Sequence, residues 1–199
     1  MLYLNKNQAS FMLRVEKENG LSYFVQLRDN VRDARFVFPN AISFFTGGAR
    51  ENESGEECFR REMIEELIGI NFEKLELEHR IYHWEKDLLK VEETIDRALE
   101  GNFDVFRGFQ YADLIPAKAL GRDRGKEVTY QQLFDRLIED HYFVAQVKVD
   151  AIENVKIKEG QKWVLLPEDT VHTNIFYPSA KVALVHDIAL RKLGLKFEL

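Results

Sequence analysis

The sequence is poor in cysteine and in long hydrophobic runs, and both shortages exclude whole classes of protein. Its 199 residues include one cysteine, Cys58, which cannot form an internal disulfide or a cysteine-based zinc site. No apolar run approaches the ~18 residues of a membrane-spanning helix. The first residues, MLYLNKNQASFML, lack the order of charged, apolar and small residues that marks a signal peptide. We therefore expect a cytoplasmic protein without a membrane-spanning segment.

The sequence also lacks an excess of basic charge, because 34 Asp and Glu outnumber 28 Lys and Arg and give a formal net charge of −6. This balance argues against general nucleic-acid binding, since phosphate backbones favour basic faces. It does not exclude a small phosphorylated ligand, because a metal ion can bridge two sets of negative charge. The 45% hydrophobic and 31% charged residues that are present are typical of a folded globular protein, and the length predicts one large domain or one with an insertion.

The spacing of apolar residues and turn signals predicts a mixed α/β order of elements. Strands are expected as a hairpin over 9–28, in the stretch that ends at Phe44 and Phe45, and over 72–84, 141–149 and 163–167. Helices are expected over 54–67, 85–100, 128–140 and 178–193. We find no internal repeat and no low-complexity linker, so a single domain over residues 1–199 is predicted.

The helix over 54–67 has sequence signals at both ends. Ser54 and Glu57 have the spacing of a capping box, in which each side chain accepts the other residue's backbone N–H. Gly69 lies just past the apolar pattern and is expected to stop the helix. Cys58 is expected to be a buried core thiol rather than a nucleophile.

The same helix carries three crowded carboxylates. Glu62, Glu65 and Glu66 are spaced i, i+3 and i+4, so they project from one face and repel one another. Hard divalent cations such as Mg²⁺ or Mn²⁺ neutralise such a set through oxygen ligands. Because Gly47 and Gly48 precede the helix and let a ligand approach the backbone, the set suits attack of a metal-activated water on a phosphoanhydride. An ordinary solvated face with ion pairs to nearby arginines would look similar, so the cluster alone leaves both interpretations open.

The wider spacing over residues 47–70 resembles the Nudix box of the Nudix hydrolases, G-x5-E-x7-R-E-U-x-E-E-x-G-U, where U is aliphatic. The typed positions that match at the fixed offsets are Gly47, Glu53, Arg61, Glu62, Met63, Glu65 and Glu66. Two departures concern the glycines. Position 68 is Ile68, so the final Gly-aliphatic pair comes one residue late at Gly69-Ile70, and the loop that follows the first glycines looks one residue short.

The resemblance implies a fold, a reaction and a set of site residues. The expected fold is an α/β/α sandwich with a mixed sheet. The expected reaction is metal-dependent hydrolysis of a nucleoside diphosphate linked to another moiety, as in a dinucleotide, a nucleotide sugar or a nucleoside triphosphate. Glu62, Glu65 and Glu66 would bind Mg²⁺ or Mn²⁺, and Arg61 would orient a carboxylate by an ion pair with Glu53.

Further site residues are expected outside the acidic helix. Glu159 is the candidate general base, although an exposed loop glutamate would look the same. Arg28 and Phe45 are candidate substrate contacts, together with the backbone of Gly47 and Gly48.

Several alternatives stay open at this point. The segment over about 85–140 is predicted to be a helical insertion that could cap the substrate site, form a homodimer surface or select the substrate. A catalytically weak Nudix-fold module that binds a nucleotide for regulation is the main rival function. An isoprenoid diphosphate isomerase of the same fold is disfavoured, because it would need a cysteine in the strand before the box.

Overall fold

The structure, a computed structural model, describes residues 7–27, 41–109, 120–123, 126–129, 139–158, 162–173 and 176–199. The strands in these ranges are β1 (Asn7–Lys17), β2 (Gly20–Leu27), β3 (Ile42–Ser43), β4 (Phe45–Gly48), β5 (Leu67–Ile68), β6 (Glu78–Tyr82), β7 (Leu120–Asp123), β8 (Lys126–Thr129), β9 (Glu139–Lys148), β10 (Lys156–Ile157) and β11 (Lys162–Pro167). The α-helices are α1 (Gly55–Glu66), α2 (Trp84–Glu100) and α3 (Pro178–Leu193). None of the described helices combines the length and the apolar character needed to cross a membrane.

The main sheet is mixed, as predicted. Its strands run in the order β11-β2-β1-β9-β6, with β3 paired to β2 and β4 paired to β1. The central pair β1–β9 is parallel, with Asn7 opposite Glu139, whereas the other pairs are antiparallel. The predicted hairpin is confirmed, because β1 and β2 pair from Lys17 and Gly20 outward.

Helices cover both faces of this sheet, which confirms the predicted α/β/α arrangement. Side chains alternate along each strand, so Phe11 and Phe143 face α1, and Met12 and Tyr142 face α2 and α3. Two hydrophobic clusters result, one on each side of the sheet. The cluster under α1 anchors the helix that carries the acidic residues, through buried Phe59 and others.

The start of α1 agrees with the sequence prediction, and its end does not. Ser54 Oγ accepts the Glu57 N–H at 3.2 Å, and Glu57 Oε2 accepts the Ser54 N–H at 2.9 Å, so the predicted capping box is present. The prediction that Gly69 stops the helix is wrong. The helix ends at Glu66 because β5 leaves it in extended conformation to pair with β10, and Gly69, at φ +96°, turns the chain after that strand.

The described part of the stretch over 85–140 contains both helix and strand. The helix predicted over 85–100 is confirmed by α2, and β7 and β8 then form a two-stranded antiparallel pair. The helix predicted over 128–140 is wrong at both ends, which lie in β8 and β9, and its middle lies outside the described residues. Pairing of β9 with β1 and β6 outweighs the local helical pattern there. The insertion itself stays a prediction.

A buried carboxylate fastens α3 to the sheet. Asp187 is fully buried. Its carboxylate accepts hydrogen bonds from Tyr23 Oη at 2.6 Å, Arg80 Nη1 at 2.7 Å, Arg14 Nε at 3.0 Å and Arg191 Nε at 3.3 Å. Burial alone would raise the pKa of Asp187, but the charges of Arg14, Arg80 and Arg191 hold this pKa well below its ordinary range. The carboxylate is therefore ionised and links β1, β2, β6 and α3 at one point.

Candidate active site

The candidate site lies between the later turns of α1 and the end of β4. Glu62, Glu65 and Glu66 occupy the last five residues of α1, and Gly47 and Gly48 end β4. The cap at Ser54 and the packing of the opposite face of α1 fix this helix on the sheet. The acidic face of α1 is thus held next to the backbone of Gly47 and Gly48.

Arg61 is the centre of the site's ion pairs. Its guanidinium binds Glu53 through two parallel hydrogen bonds, Nε to Oε1 at 2.7 Å and Nη2 to Oε2 at 2.8 Å. Glu53 also accepts the Arg50 N–H at 2.7 Å. These hydrogen bonds lower the pKa of Glu53 to about 2, and the bonds from Arg61 contribute most. The predicted ion pair between Arg61 and Glu53 is therefore present, in the bidentate form that fixes a guanidinium most firmly.

The same guanidinium reaches the helix carboxylates and β4. Arg61 Nη1 donates to Glu62 Oε1 and, at 3.4 Å, to Glu65 Oε2, while Nη2 donates to the Gly48 carbonyl at 3.0 Å. The Glu62 side chain is 16% exposed and that of Glu65 is 51% exposed. Glu62 therefore lies between α1 and β4, and Glu65 lies at the solvent-exposed edge of the acidic site.

Gly47 is required by the position of Glu62. A Cβ at residue 47 would lie 1.8 Å from Glu62 Cδ, so a side chain there would displace the carboxylate. The Gly47 carbonyl meanwhile accepts Cys58 Sγ at 3.5 Å. Burial raises the pKa of Cys58 to about 11, which agrees with the predicted core thiol.

The predicted substrate contact Phe45 belongs to the core instead. Its ring is fully buried and stacks on Phe24 at a centroid distance of 5.0 Å. Phe45 precedes the glycines on β4 and points towards the cluster under α1, so it supports the strand rather than facing a ligand. Arg28 and Glu159, also predicted as site residues, lie outside the described residues.

The chain that leads to Glu159 is nevertheless held against the end of α1. The Lys158 N–H donates to the Glu66 carbonyl at 2.8 Å, and Lys158 Nζ donates to the Ile64 carbonyl at 2.8 Å. The ammonium group thus satisfies a carbonyl of the last turn and complements the negative end of the helix dipole. One carboxylate oxygen of Glu66 is shielded from solvent in this region.

The acidic face fits a divalent metal ion in its chemistry. Glu62, Glu65 and Glu66 offer hard oxygen ligands, and Gly47 leaves the space that the Glu62 carboxylate occupies, which suits Mg²⁺ or Mn²⁺. In the described part of the chain no three His, Cys, Asp or Glu side chains converge closely enough to hold a metal ion. The guanidinium of Arg61 contacts Glu62 and Glu65 and supplies the positive charge in this arrangement.

A histidine pair near the start of α1 was missed by the sequence reasoning. His79 Nε2 and His141 Nδ1 are 2.9 Å apart, and His141 Nε2 lies 3.3 Å from Glu139 Oε2. The His141 ring fills the space where Gly55 would otherwise carry a Cβ. The two histidines are 62 residues apart in the chain, so no local spacing could have paired them. The one local hint of close packing against α1 was Gly55, a poor helix former at the first position of that helix.

The comparisons with solved structures address the fold. A C. elegans Ap4A hydrolase in a binary complex superposes with a TM-score of 0.52 and 13% identity, over 96% of this chain and 99% of that one. A Nudix hydrolase from M. smegmatis, RenU, also gives a TM-score of 0.52, with 10% identity over 98% of this chain and 91% of that one. The protein has the Nudix fold. A mutT/nudix family protein from Listeria innocua shares that fold with a TM-score of 0.52 and 14% identity, over 95% of each chain.

The sequence comparisons add no relative. No protein-family model and no curated protein sequence matches the chain. At identities of 10–14% the neighbours with the Nudix fold support the architecture and leave the chemistry to be argued from this chain's own residues.

Proposed function

We propose that this Nudix-fold protein is a pyrophosphohydrolase that cleaves the phosphoanhydride of a nucleoside diphosphate linked to another moiety. The observation that carries the proposal is the cluster around Arg61, which joins Glu53, Glu62 and Glu65 beside the glycine backbone of β4. These groups stand on a fold whose structural neighbours are named as hydrolases. A helix face that only contacts solvent has no need of the two hydrogen bonds by which Glu53, in the preceding loop, fixes Arg61.

The metal ion in this proposal is Mg²⁺ or Mn²⁺. Glu62, Glu65 and Glu66 are the residues that would hold it, although their carboxylates do not converge in the described part of the chain. When bound, such an ion neutralises diphosphate charge and lowers the pKa of a coordinated water. Arg61 orients Glu62 and Glu65, and Glu53 holds Arg61 in place by two hydrogen bonds.

The substrate side of the proposal rests on β4 and the segments near it. Gly48 ends β4 half-buried, and it carries no side chain that would keep a phosphate from its backbone. The Glu62 carboxylate fills the space over Gly47, so a phosphate that contacts Gly47 would also meet Glu62. Arg28 is proposed as a substrate contact on its sequence position alone. Glu159 is the proposed general base, supported by the hydrogen bonds of Lys158 to the end of α1. A cytoplasmic location and a homodimer stay predictions.

A catalytically weak nucleotide-binding module is the second candidate, and one observation favours it. Ile68 replaces the glycine of the box and pairs with Lys156 in a short sheet, so the chain after α1 departs from the Nudix pattern at that point. In this case nucleotides would bind without turnover. Thermal stabilisation by a nucleotide without release of phosphate or AMP would support this module against the hydrolase.

The test is a hydrolysis screen with Mg²⁺ and with Mn²⁺ over Ap4A, nucleotide sugars and nucleoside triphosphates. Glu65→Gln and Glu66→Gln should each lower kcat/KM for the best substrate by about a hundredfold or more, since residues that only orient a metal ligand already cost 10–100-fold. Glu93→Gln, an exposed glutamate of α2, is the matched control and should leave the rate unchanged. Unaltered hydrolysis by both carboxylate variants would exclude the proposed site.

A further inference from the structure

A column of stacked rings ends in open space at the edge of the sheet. Phe59 of α1 stacks on Phe143 of β9 at a centroid distance of 4.2 Å and an interplanar angle of 19°. His79 of β6 stacks on Phe143 at 4.4 Å and 8°. Among the described strands β6 forms one edge of the sheet, and His79 is exposed. The last ring of the column therefore presents an aromatic face to solvent.

The orientation of that last ring is fixed by a chain of polar contacts. His141 Nε2 lies 3.3 Å from Glu139 Oε2, which can only accept, so in the neutral imidazole the proton is on Nε2 and Nδ1 is an acceptor. That Nδ1 lies 2.9 Å from His79 Nε2 and accepts a hydrogen bond from its N–H. His79 is then the neutral tautomer whose Nδ1 is a hydrogen-bond acceptor. The imidazole is held nearly parallel to the Phe143 ring. Within the part of the chain that the structure describes, its Nδ1 has no hydrogen-bond donor and can accept from a ligand.

The exposed ring faces a cleft of about 530 Å³ between α1, β6 and the 3₁₀ turn Phe72–Lys74, a size within the range of small-molecule sites. Phe72, Leu75 and Leu77 form much of its apolar lining. The cleft lies on the other flank of α1 from Arg61 and Glu65. It is separate from the acidic face proposed for hydrolysis.

The charges around the cleft disfavour a phosphorylated ligand. Glu56 and Glu73 line it together with one cationic side chain, Arg60. Arg60 Nη2 already lies 3.0 Å from Glu56 Oε1, so its charge is matched within the protein. The net charge of the lining is negative, and a phosphate would meet repulsion from two carboxylates.

We propose that this cleft is a second ligand site, which binds a planar, uncharged heteroaromatic molecule such as a nucleobase or a nucleoside stacked on His79. The spacing of the column, about 4.3 Å between near-parallel rings, is the spacing that one more flat ring would continue. An N–H or amino group on the ligand meets the acceptor Nδ1. This site does not depend on the hydrolysis proposed for the opposite flank of α1.

The test measures adenosine binding to the full chain by calorimetry and by saturation-transfer NMR. Wild-type protein should bind adenosine saturably, and His79→Ala should weaken binding about tenfold or more, because one base–aromatic stack is lost. His79→Phe keeps a ring at the end of the column and should stay within about threefold of wild type. His83→Ala removes a histidine outside the cleft lining and should bind as wild type does. Melting curves of each variant show whether it is folded.

Three results would overturn the proposal. One is the absence of saturable adenosine binding by wild-type protein. Another is equal affinity in wild type and His79→Ala. The third is loss of binding in Glu65→Gln with retention in His79→Ala, which would put adenosine on the acidic face. Hydrolysis is assayed separately, so failure of this site and failure of the proposed reaction are distinguishable.

Discussion

Substitution of Asp187 by asparagine tests whether the buried ion network holds α3 on the sheet. The change keeps the shape of the side chain and removes the one charge that Arg14, Arg80 and Arg191 share. A buried charge that loses its partner costs about 3–5 kcal/mol. The asparagine side chain would also direct an amide N–H₂ towards guanidinium groups that donate. For a chain of this length the loss corresponds to a melting temperature about 6–20 °C lower.

Urea unfolding followed by circular dichroism measures the loss, with Asp104→Asn as the matched control. Asp104 pairs with Arg107 at 2.6 Å, but both side chains are more than four-fifths exposed, so its removal should change the free energy of unfolding by less than about 0.5 kcal/mol. The pKa of Asp187 is lowered in the folded state, so its contribution is complete above the ordinary Asp pKa. The gap between wild type and Asp187→Asn should therefore be constant from pH 8 to about pH 5 and shrink only below about pH 4. A loss below about 1 kcal/mol at pH 7 would refute the argument, because buried Arg80 and partly buried Arg14 and Arg191 would then gain no stability from the carboxylate they share.

Two further predictions concern a glycine and a buried histidine. Gly47→Ala should lower the rate of hydrolysis at least about tenfold, because the new methyl group displaces the Glu62 carboxylate. The melting temperature should change little, because only the end of a flexible side chain must move. Equal activity in a folded variant would argue against a role for this contact. Burial, and then the charge of Arg80, lower the pKa of His186 to about 4, so folding excludes a proton that the unfolded chain binds below pH 6.5. The stability advantage of wild type over His186→Gln should thus shrink by about 3 kcal/mol between pH 7 and pH 4, and a pH-independent difference in urea midpoints would contradict this.

The acidic helix could be predicted because its signals are local. The capping box of Ser54 and Glu57, the apolar stripe and the carboxylate spacing all lie within one short segment, and the structure places them as expected. Its end could not be predicted, because Leu67 leaves the helix to pair with a strand about 90 residues further on. The same reason applies to 139–140, which are extended by pairing with β1 and β6 despite a helical pattern.

The contacts inside the candidate site also divide into those set by local sequence and those set by residues far away in the chain. The pair of Arg61 with Glu53 follows from the spacing of the box and was expected. The burial of Phe45 was not, because an aromatic beside a glycine loop can face either the core or a ligand, and only the packing of Phe24 decides between them. His141 could not be singled out, because it contacts His79 of β6 and packs against Gly55 of α1, both far from it in the chain.

The parallel pairing of β1 with β9 has a consequence for synthesis on the ribosome. Partners in this pair, such as Gln8 and Asp140, are 132 residues apart in the chain, and a ribosome needs roughly 7–26 s to make that length at 5–20 residues per second. The β1–β2 hairpin can form early, but the other edge of β1 has no strand to accept it until β9 emerges. During that interval the nascent chain exposes one unpaired edge of β1, which includes Phe11 and Leu13, and such an edge can bind chaperones or pair with another copy of the chain.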